Sequence, residues 1–144
     1  TLDTHAHYYY SRKKMRAALM YMQRAMDHID RIKSAEGRAT WRAHFAAILF
    51  ACDRTPEAVE FIKDALSEIV GTANGVLSKE YILLGKIPHA HRHLAASLCF
   101  NLSACQAQLN QYEHALTSCC FALLLSHGEG GDKGYGKRMQ NLHD

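Results

Sequence analysis

Five cysteines are the residues of this sequence most able to do chemistry: Cys52, Cys99, Cys105, Cys119 and Cys120. A thiolate can act as a nucleophile or bind a metal. However, the sequence contains no C-x-x-C pair, and all five cysteines lie in apolar, helix-like stretches. Buried cysteine behaves as a small hydrophobic residue. We therefore predict reduced thiols with a packing role in a cytoplasmic or nuclear protein.

Histidines form two alternating clusters, His5 and His7 in "THAH" and His89, His91 and His93 in "PHAHRH". Alternate residues share one face on a β-strand but not on a helix. A metal site needs three or four converging ligands, and no carboxylate or cysteine lies nearby at a recognisable ligand spacing. We predict no metal site.

Catalytic motifs are missing from the sequence. It contains no G-x-S-x-G and no H-E-x-x-H, and the glycine-rich stretch "GEGGDKG" at 128–134 lacks the Lys-Ser/Thr that completes a phosphate-binding loop. We therefore predict no enzyme, no catalytic residues and no cofactor.

Composition indicates one globular domain spanning 1–144, because the chain has 144 residues and 48% of them are apolar. The longest apolar run, 45–52, is far shorter than the roughly 20 residues of a membrane helix, so we expect no membrane association. The chain begins with Thr1 rather than Met, and we expect it to be part of a longer protein.

Apolar periodicity predicts an all-α fold. Thr4 to Ala35 contains neither Gly nor Pro and carries an apolar stripe that includes Met15, Ala18 and Met22, with Gly37 predicted to end the element. Helices are predicted at 40–53 and 56–70, and they form an antiparallel pair joined by a short turn. Thr55 is the predicted N-cap of the second helix and Gly71 is its predicted stop.

The stretch 71–93 is predicted to be an insertion that contains a short helix, capped by Ser78 and extending to 85, before Pro88 interrupts. Longer helices are predicted from Arg92 to Leu109 and at 112–126, with a turn at 110–111. A loop is predicted at 128–134, and the last ten residues are expected to begin a further helix.

An internal repeat emerges when the helical pairs are aligned. A small residue followed by an aliphatic one recurs seven positions later, which is about two helical turns, so both small residues lie on one face. The pattern occurs three times: Ala18-Leu19 with Ala25-Met26, Ala58-Val59 with Ala65-Leu66, and Ala115-Leu116 with Ala122-Leu123.

This pattern resembles the tetratricopeptide repeat family, whose units of about 34 residues form two antiparallel helices with small residues at fixed positions. The best match is 98–127, followed by 41–68 and then 6–27. The residues that carry the resemblance are Leu102, Ser103, Tyr112, Ala115, Cys119 and Ala122 in 98–127; Phe45, Ala46, Ala58, Ile62 and Ala65 in 41–68; and Ala18, Met22 and Ala25 in 6–27.

The resemblance implies helical hairpins stacked as a right-handed superhelix; the alternative is an irregular helical bundle. It also implies a scaffold or adaptor that binds a partner peptide or helix in a groove lined by the first helix of each hairpin. Transferred position by position, that groove would contain Thr40, His44, Ala47, Ser97, Asn101, Ala104 and Gln108.

Some co-chaperones of this family grip a C-terminal carboxylate, which gives one alternative function. "KGYGKR" at 133–138 resembles part of their motif and would supply Lys133 and either Lys137 or Arg138 as cations, with Asn101 matching a second position. The first-repeat Lys and Asn of that clamp fall on Thr40 and His44, which do not match.

The N-terminal end is basic, because residues 1–44 contain nine Lys and Arg against four Asp and Glu. The predicted basic surface comprises Arg12, Lys13, Lys14 and Arg16. It suggests an acidic protein partner or, as a second alternative, a nucleic acid. Association with another copy or with a different chain stays open.

Overall fold

The computed structural model describes residues 14–72 and 75–130 and is all-helical over these residues. Within these ranges six α-helices follow one another: α1 (Met15–Met26), α2 (Ala35–Ala51), α3 (Thr55–Val70), α4 (Lys79–Leu83), α5 (His89–Gln108) and α6 (Tyr112–Gly130), with a 3₁₀ turn at Ile29–Arg31 after α1. The predicted all-α class is confirmed. No helix in the described part is long and apolar enough to cross a membrane.

The prediction that Gly37 ends the first element is wrong. The backbone leaves the helix after Met26, and Gly37 lies in the first turn of α2. Ser34 is the N-cap, and its Oγ accepts a hydrogen bond from the Gly37 amide at 3.0 Å. A Cβ on Gly37 would lie 2.7 Å from Ile32 Cγ2, so the glycine allows the preceding chain to pack against the start of the helix.

Other helix boundaries also differ from the predicted ones. Helix α3 begins at Thr55 with Arg54 as its N-cap, so Thr55 is not the cap. The Thr55 hydroxyl instead donates a hydrogen bond to Gln108 Oε1 at 2.5 Å. Helix α5 begins at His89 rather than Arg92, directly after Pro88. Helix α6 continues to Gly130, so the predicted loop does not begin at 128.

The two long hairpins, α2–α3 and α5–α6, share one turn geometry. Asp53 and Asn110 both adopt a left-handed backbone, with φ of 61° and 62°. The Arg54 amide donates to Leu49 O at 2.9 Å, and the Gln111 amide donates to Gln106 O at 2.8 Å. Both are the 6→1 hydrogen bond that ends many helices. Each residue of the first turn has its counterpart in the second turn at the same distance along the sequence.

The core lies where these hairpins meet. Helix α2 packs on α3, α5 packs on α6, and α3 packs against α5, while α1 lies against α2. Ala58, Ala65 and Ala122 are fully buried, and Ala115 nearly so. Small residues at these positions let neighbouring helix backbones approach closely.

The segment between the hairpins is held by hydrogen bonds to the end of α3. Gly71 ends α3 with a left-handed φ of 78°, as the sequence predicts. Ser78 caps α4, also as predicted, by accepting from the Tyr81 amide at 3.1 Å. The Tyr81 hydroxyl donates to Val70 O at 2.6 Å, and His91 Nδ1 lies 3.1 Å from Ile69 O.

Replacing Tyr81 with Phe is expected to reduce the free energy of unfolding by about 1 kcal/mol, because a partly buried carbonyl loses its donor. Tyr112→Phe is the matched control, since that hydroxyl bonds Asn110 at an exposed site. Urea denaturation of both variants measures the difference. Equal stability of the two variants would show that the Tyr81 bond does not anchor the insertion.

Candidate functional site

The predicted groove residues lie on two helices that flank one open pocket of about 420 Å³. Thr40, His44 and Ala47 follow one another along α2, one turn apart. Ser97 and Asn101 do the same along α5. Together they line the same pocket, which we call the α2–α5 groove.

A smaller pocket of about 150 Å³ continues the groove toward α3. Ala47 and Asn101 line both pockets, and Ala104 lines the smaller one. Phe50 and Ile62 give this end an apolar floor. The groove therefore passes from a polar opening to an apolar end, with Ala47 and Asn101 at the junction.

Gln108 is the one predicted groove residue that lines neither pocket. Its side-chain oxygen accepts the hydrogen bond from Thr55. Gln108 therefore ties the C-terminal end of α5 to the N-terminal end of α3. In this arrangement its role is to hold the two hairpins together.

Several groove residues were not identified by sequence reasoning. Glu36 and Ala43 extend the α2 wall, and Ala90, His93 and Leu94 extend the α5 wall. All five continue the spacing of three or four residues on the helix face already chosen. Glu36 and Ala90 precede the predicted helix starts, since both helices begin earlier than predicted. Ala43, His93 and Leu94 lie inside the predicted helices, and their place in the lining depends on how the two helices face each other.

The groove combines small side chains with polar atoms. The exposed Ala47 and Ala104 leave room for an occupant close to the helix backbones. The Thr40 hydroxyl donates to Glu36 O at 2.8 Å, so its oxygen can still accept a hydrogen bond. His44 lies beside Trp41, with ring centroids 6.4 Å apart in an edge-on arrangement. Glu36 is the charged residue of the lining.

The basic surface is only partly within the described residues. Arg12 and Lys13 lie outside them, while Lys14 and Arg16 are exposed at the start of α1. Farther along the chain, Arg38 and Arg42 both bind the carboxylate of Glu68, with Arg38 Nε 3.1 Å from Glu68 Oε2. The single carboxylate of Glu68 therefore offsets part of the positive charge of these two arginines.

Lys133 and Lys137, the predicted carboxylate-clamp cations, also lie outside the described residues. So do His5 and His7. The other three alternating histidines diverge: His89 lines a pocket beside α6, His93 lines the α2–α5 groove, and His91 bonds the end of α3. Over residues 14–72 and 75–130, no group of three His, Cys, Asp or Glu side chains could hold a metal ion.

The cysteines differ widely in exposure. Burial raises the pKa of Cys99 to about 12, and burial also raises the pKa of Cys105. Cys119 is half-buried and Cys120 is exposed. Of the two adjacent thiols, one therefore contributes to packing and the other faces solvent.

Thiol labelling of the folded protein should modify Cys120 first. Cys99 is buried, and burial raises its pKa to about 12, so very little of the reactive thiolate forms there near neutral pH. Peptide mapping after timed exposure to a disulfide reagent measures each rate. Modification of Cys99 as fast as Cys120 would contradict the buried position of Cys99.

No protein-family model matches the chain, and a search of curated proteins finds no significant match to it.

Proposed function

We propose that this chain is a tetratricopeptide-like helical-repeat module that binds an extended peptide or a helix of a partner protein in the α2–α5 groove. The α2–α3 and α5–α6 hairpins are its repeats, and α1 is the second helix of a preceding repeat. The hairpins stack as a right-handed superhelix. The function is binding, with no chemical step.

The observation that carries this proposal is the equivalence of the two hairpins. Their turns use the same left-handed residue and the same 6→1 hydrogen bond. The buried pair Ala58 and Ala65 on α3 corresponds to Ala115 and Ala122 on α6. An irregular bundle has no reason to reuse both a turn and a packing pattern at one constant offset.

The insertion explains why the repeats are farther apart than the usual unit of about 34 residues. Val70 and His89 bracket a segment that contains the short helix α4, which packs on α6. The polypeptide therefore leaves the repeat after α3 and re-enters it at α5. Helices α3 and α5 still pack directly on each other, which preserves the contact between successive repeats.

The groove suits a peptide backbone better than a free carboxylate. Asn101 offers both a donor and an acceptor, as a peptide group requires, and the small Ala47 and Ala104 admit a backbone at close range. Glu36 places a negative charge at the polar opening. That charge repels a terminal carboxylate, so we favour a neutral or basic peptide over the co-chaperone type of ligand.

Selection of peptides from a displayed random library, followed by fluorescence-polarisation titration, tests this proposal. Asn101→Ala is expected to weaken binding of a selected peptide about tenfold, because a peptide group would lose its hydrogen bond. Lys14→Glu with Arg16→Glu is expected to change the affinity less than about twofold, since both lie on α1 away from the groove. The reverse pattern would place binding on the basic surface and contradict the proposal.

A further inference from the structure

Arg92 is the one charged side chain that is buried among the described residues, with 8% of its surface exposed. Its Nη2 donates to the Leu124 carbonyl at 3.3 Å. Its Nε has no hydrogen-bond partner, and no carboxylate among residues 14–72 and 75–127 pairs with it. A buried cation without a counter-ion is costly, so a binding role would explain its position.

Arg92 lines an open pocket of about 500 Å³ between α4, α5 and α6. Two histidines, His89 and His127, line it from α5 and α6. Among the described residues that line the pocket, none is Asp or Glu. The polar part of the pocket is therefore suited to an anion.

The N-terminal end of α5 adds positive potential beside Arg92. The helix starts at His89, its N-cap is Pro88, and no side chain caps it. Its first turn contains no acidic residue. The free amides and the helix dipole at such an end favour a negative group, and Arg92 follows within the same first turns.

The rest of the pocket is aliphatic. Ile82 and Leu83 of α4, Ile87 before α5 and Leu124 of α6 form its walls. A volume of this size holds more than a simple ion and falls in the range of small-molecule sites. The pocket thus pairs one buried guanidinium with an apolar surface large enough for a short hydrocarbon chain.

We propose that this pocket binds a small amphiphilic anion, with its carboxylate or phosphate head at Arg92 and its hydrocarbon body against Ile82, Leu83 and Leu124. The site is separate from the α2–α5 groove, because α5 lines that groove with other residues, namely Ala90, His93 and Ser97. Its occupation would add contacts among α4, α5 and α6. It does not depend on the proposed peptide-binding function.

Isothermal titration with octanoate and octyl phosphate tests this site, with octanol and octyltrimethylammonium as controls that share the chain but not the anionic head. At least one of the two anions should bind about tenfold or more tightly than either control, since a charge-assisted hydrogen bond to Arg92 is available only to an anion. The comparison of octanoate with octyl phosphate identifies the head group. Equal binding of all four compounds would overturn the proposal.

Arg92→Gln should weaken binding of the preferred anion by about tenfold or more. A second test leaves the core unchanged. Leu83→Asp adds a negative charge to the pocket lining at a residue that is 65% exposed. Leu84→Asp is its control, because it adds the same charge at a neighbour that is 69% exposed and outside the lining. Leu83→Asp should weaken the anion much more than Leu84→Asp. Equal effects of the two substitutions would overturn the proposal even if the Arg92 variant fails to fold.

Discussion

Substituting tryptophan for Ala47 is expected to lower the affinity of a groove-selected peptide by about a hundredfold or more. Ala47 is exposed and lines both pockets of the α2–α5 groove. An indole ring there would fill the junction between the polar opening and the apolar end, so a peptide could not occupy both. Fluorescence-polarisation titration of one labelled peptide against the original protein and the Ala47→Trp variant measures the loss of affinity. A hundredfold loss corresponds to about 2.7 kcal/mol of binding free energy.

Ala107→Trp is the matched control for this substitution. Ala107 is also an exposed alanine on a long helix, but it lines neither pocket of the groove. Its replacement should leave the affinity within about twofold of the original, as is usual for surface changes away from a binding site. If both tryptophan variants lose binding equally, the loss reflects the added ring itself and the groove is not the site.

The second large effect is expected at a buried small residue. Ala122→Leu should reduce the free energy of unfolding by about 3 kcal/mol, since Ala122 is fully buried on α6, the helix that packs along α5. Extra methylene groups at a well-packed position force backbones apart or side chains out of their rotamers. Thermal unfolding should show a decrease in Tm of about 10 °C for a chain of this size.

Ala107→Leu provides the comparison for this overpacking effect, because it makes the same chemical change at an exposed helical position. We expect its unfolding free energy to stay within about 0.5 kcal/mol of the original. A similar small effect at Ala122 would mean that α5 and α6 do not depend on a small residue to pack. The repeat interpretation of the alanine pattern would then be wrong.

The helical content of the fold was predictable because neighbouring residues in the sequence carry both the apolar spacing of the helices and the signals that end them. Gly71, Ser78 and the turn at 110–111 act where the sequence predicts. The errors occur where a tertiary or capping contact outweighs the local signal. Gly37 is tolerated inside a helix because Ser34 caps its amide and Ile32 packs where a Cβ would lie.

The groove was predictable in outline because helical spacing determines which side chains share a face. Thr40, His44 and Ala47 line the same pocket as Ser97 and Asn101. Gln108 differs because its partner, Thr55, is far away in sequence. No local pattern indicates that pair.

The Arg92 pocket was also beyond sequence reasoning. Its walls come from α4, α5 and α6, and its basic character depends on which residues meet across these helices. In "PHAHRH" the alternating histidines draw attention, and no metal site is predicted for them, whereas the buried residue of the motif is the arginine. Only the packed structure distinguishes Arg92 from an ordinary solvated cation.

The most direct test of binding in the α2–α5 groove is an amide chemical-shift titration of the isotope-labelled protein with a selected peptide. The largest shifts are predicted at Thr40, His44 and Ala47 on α2 and at Ser97 and Asn101 on α5. These residues form the two groove walls. Shifts confined to α1, or to the outer face of α6 around the exposed Leu116 and Leu123, would contradict it.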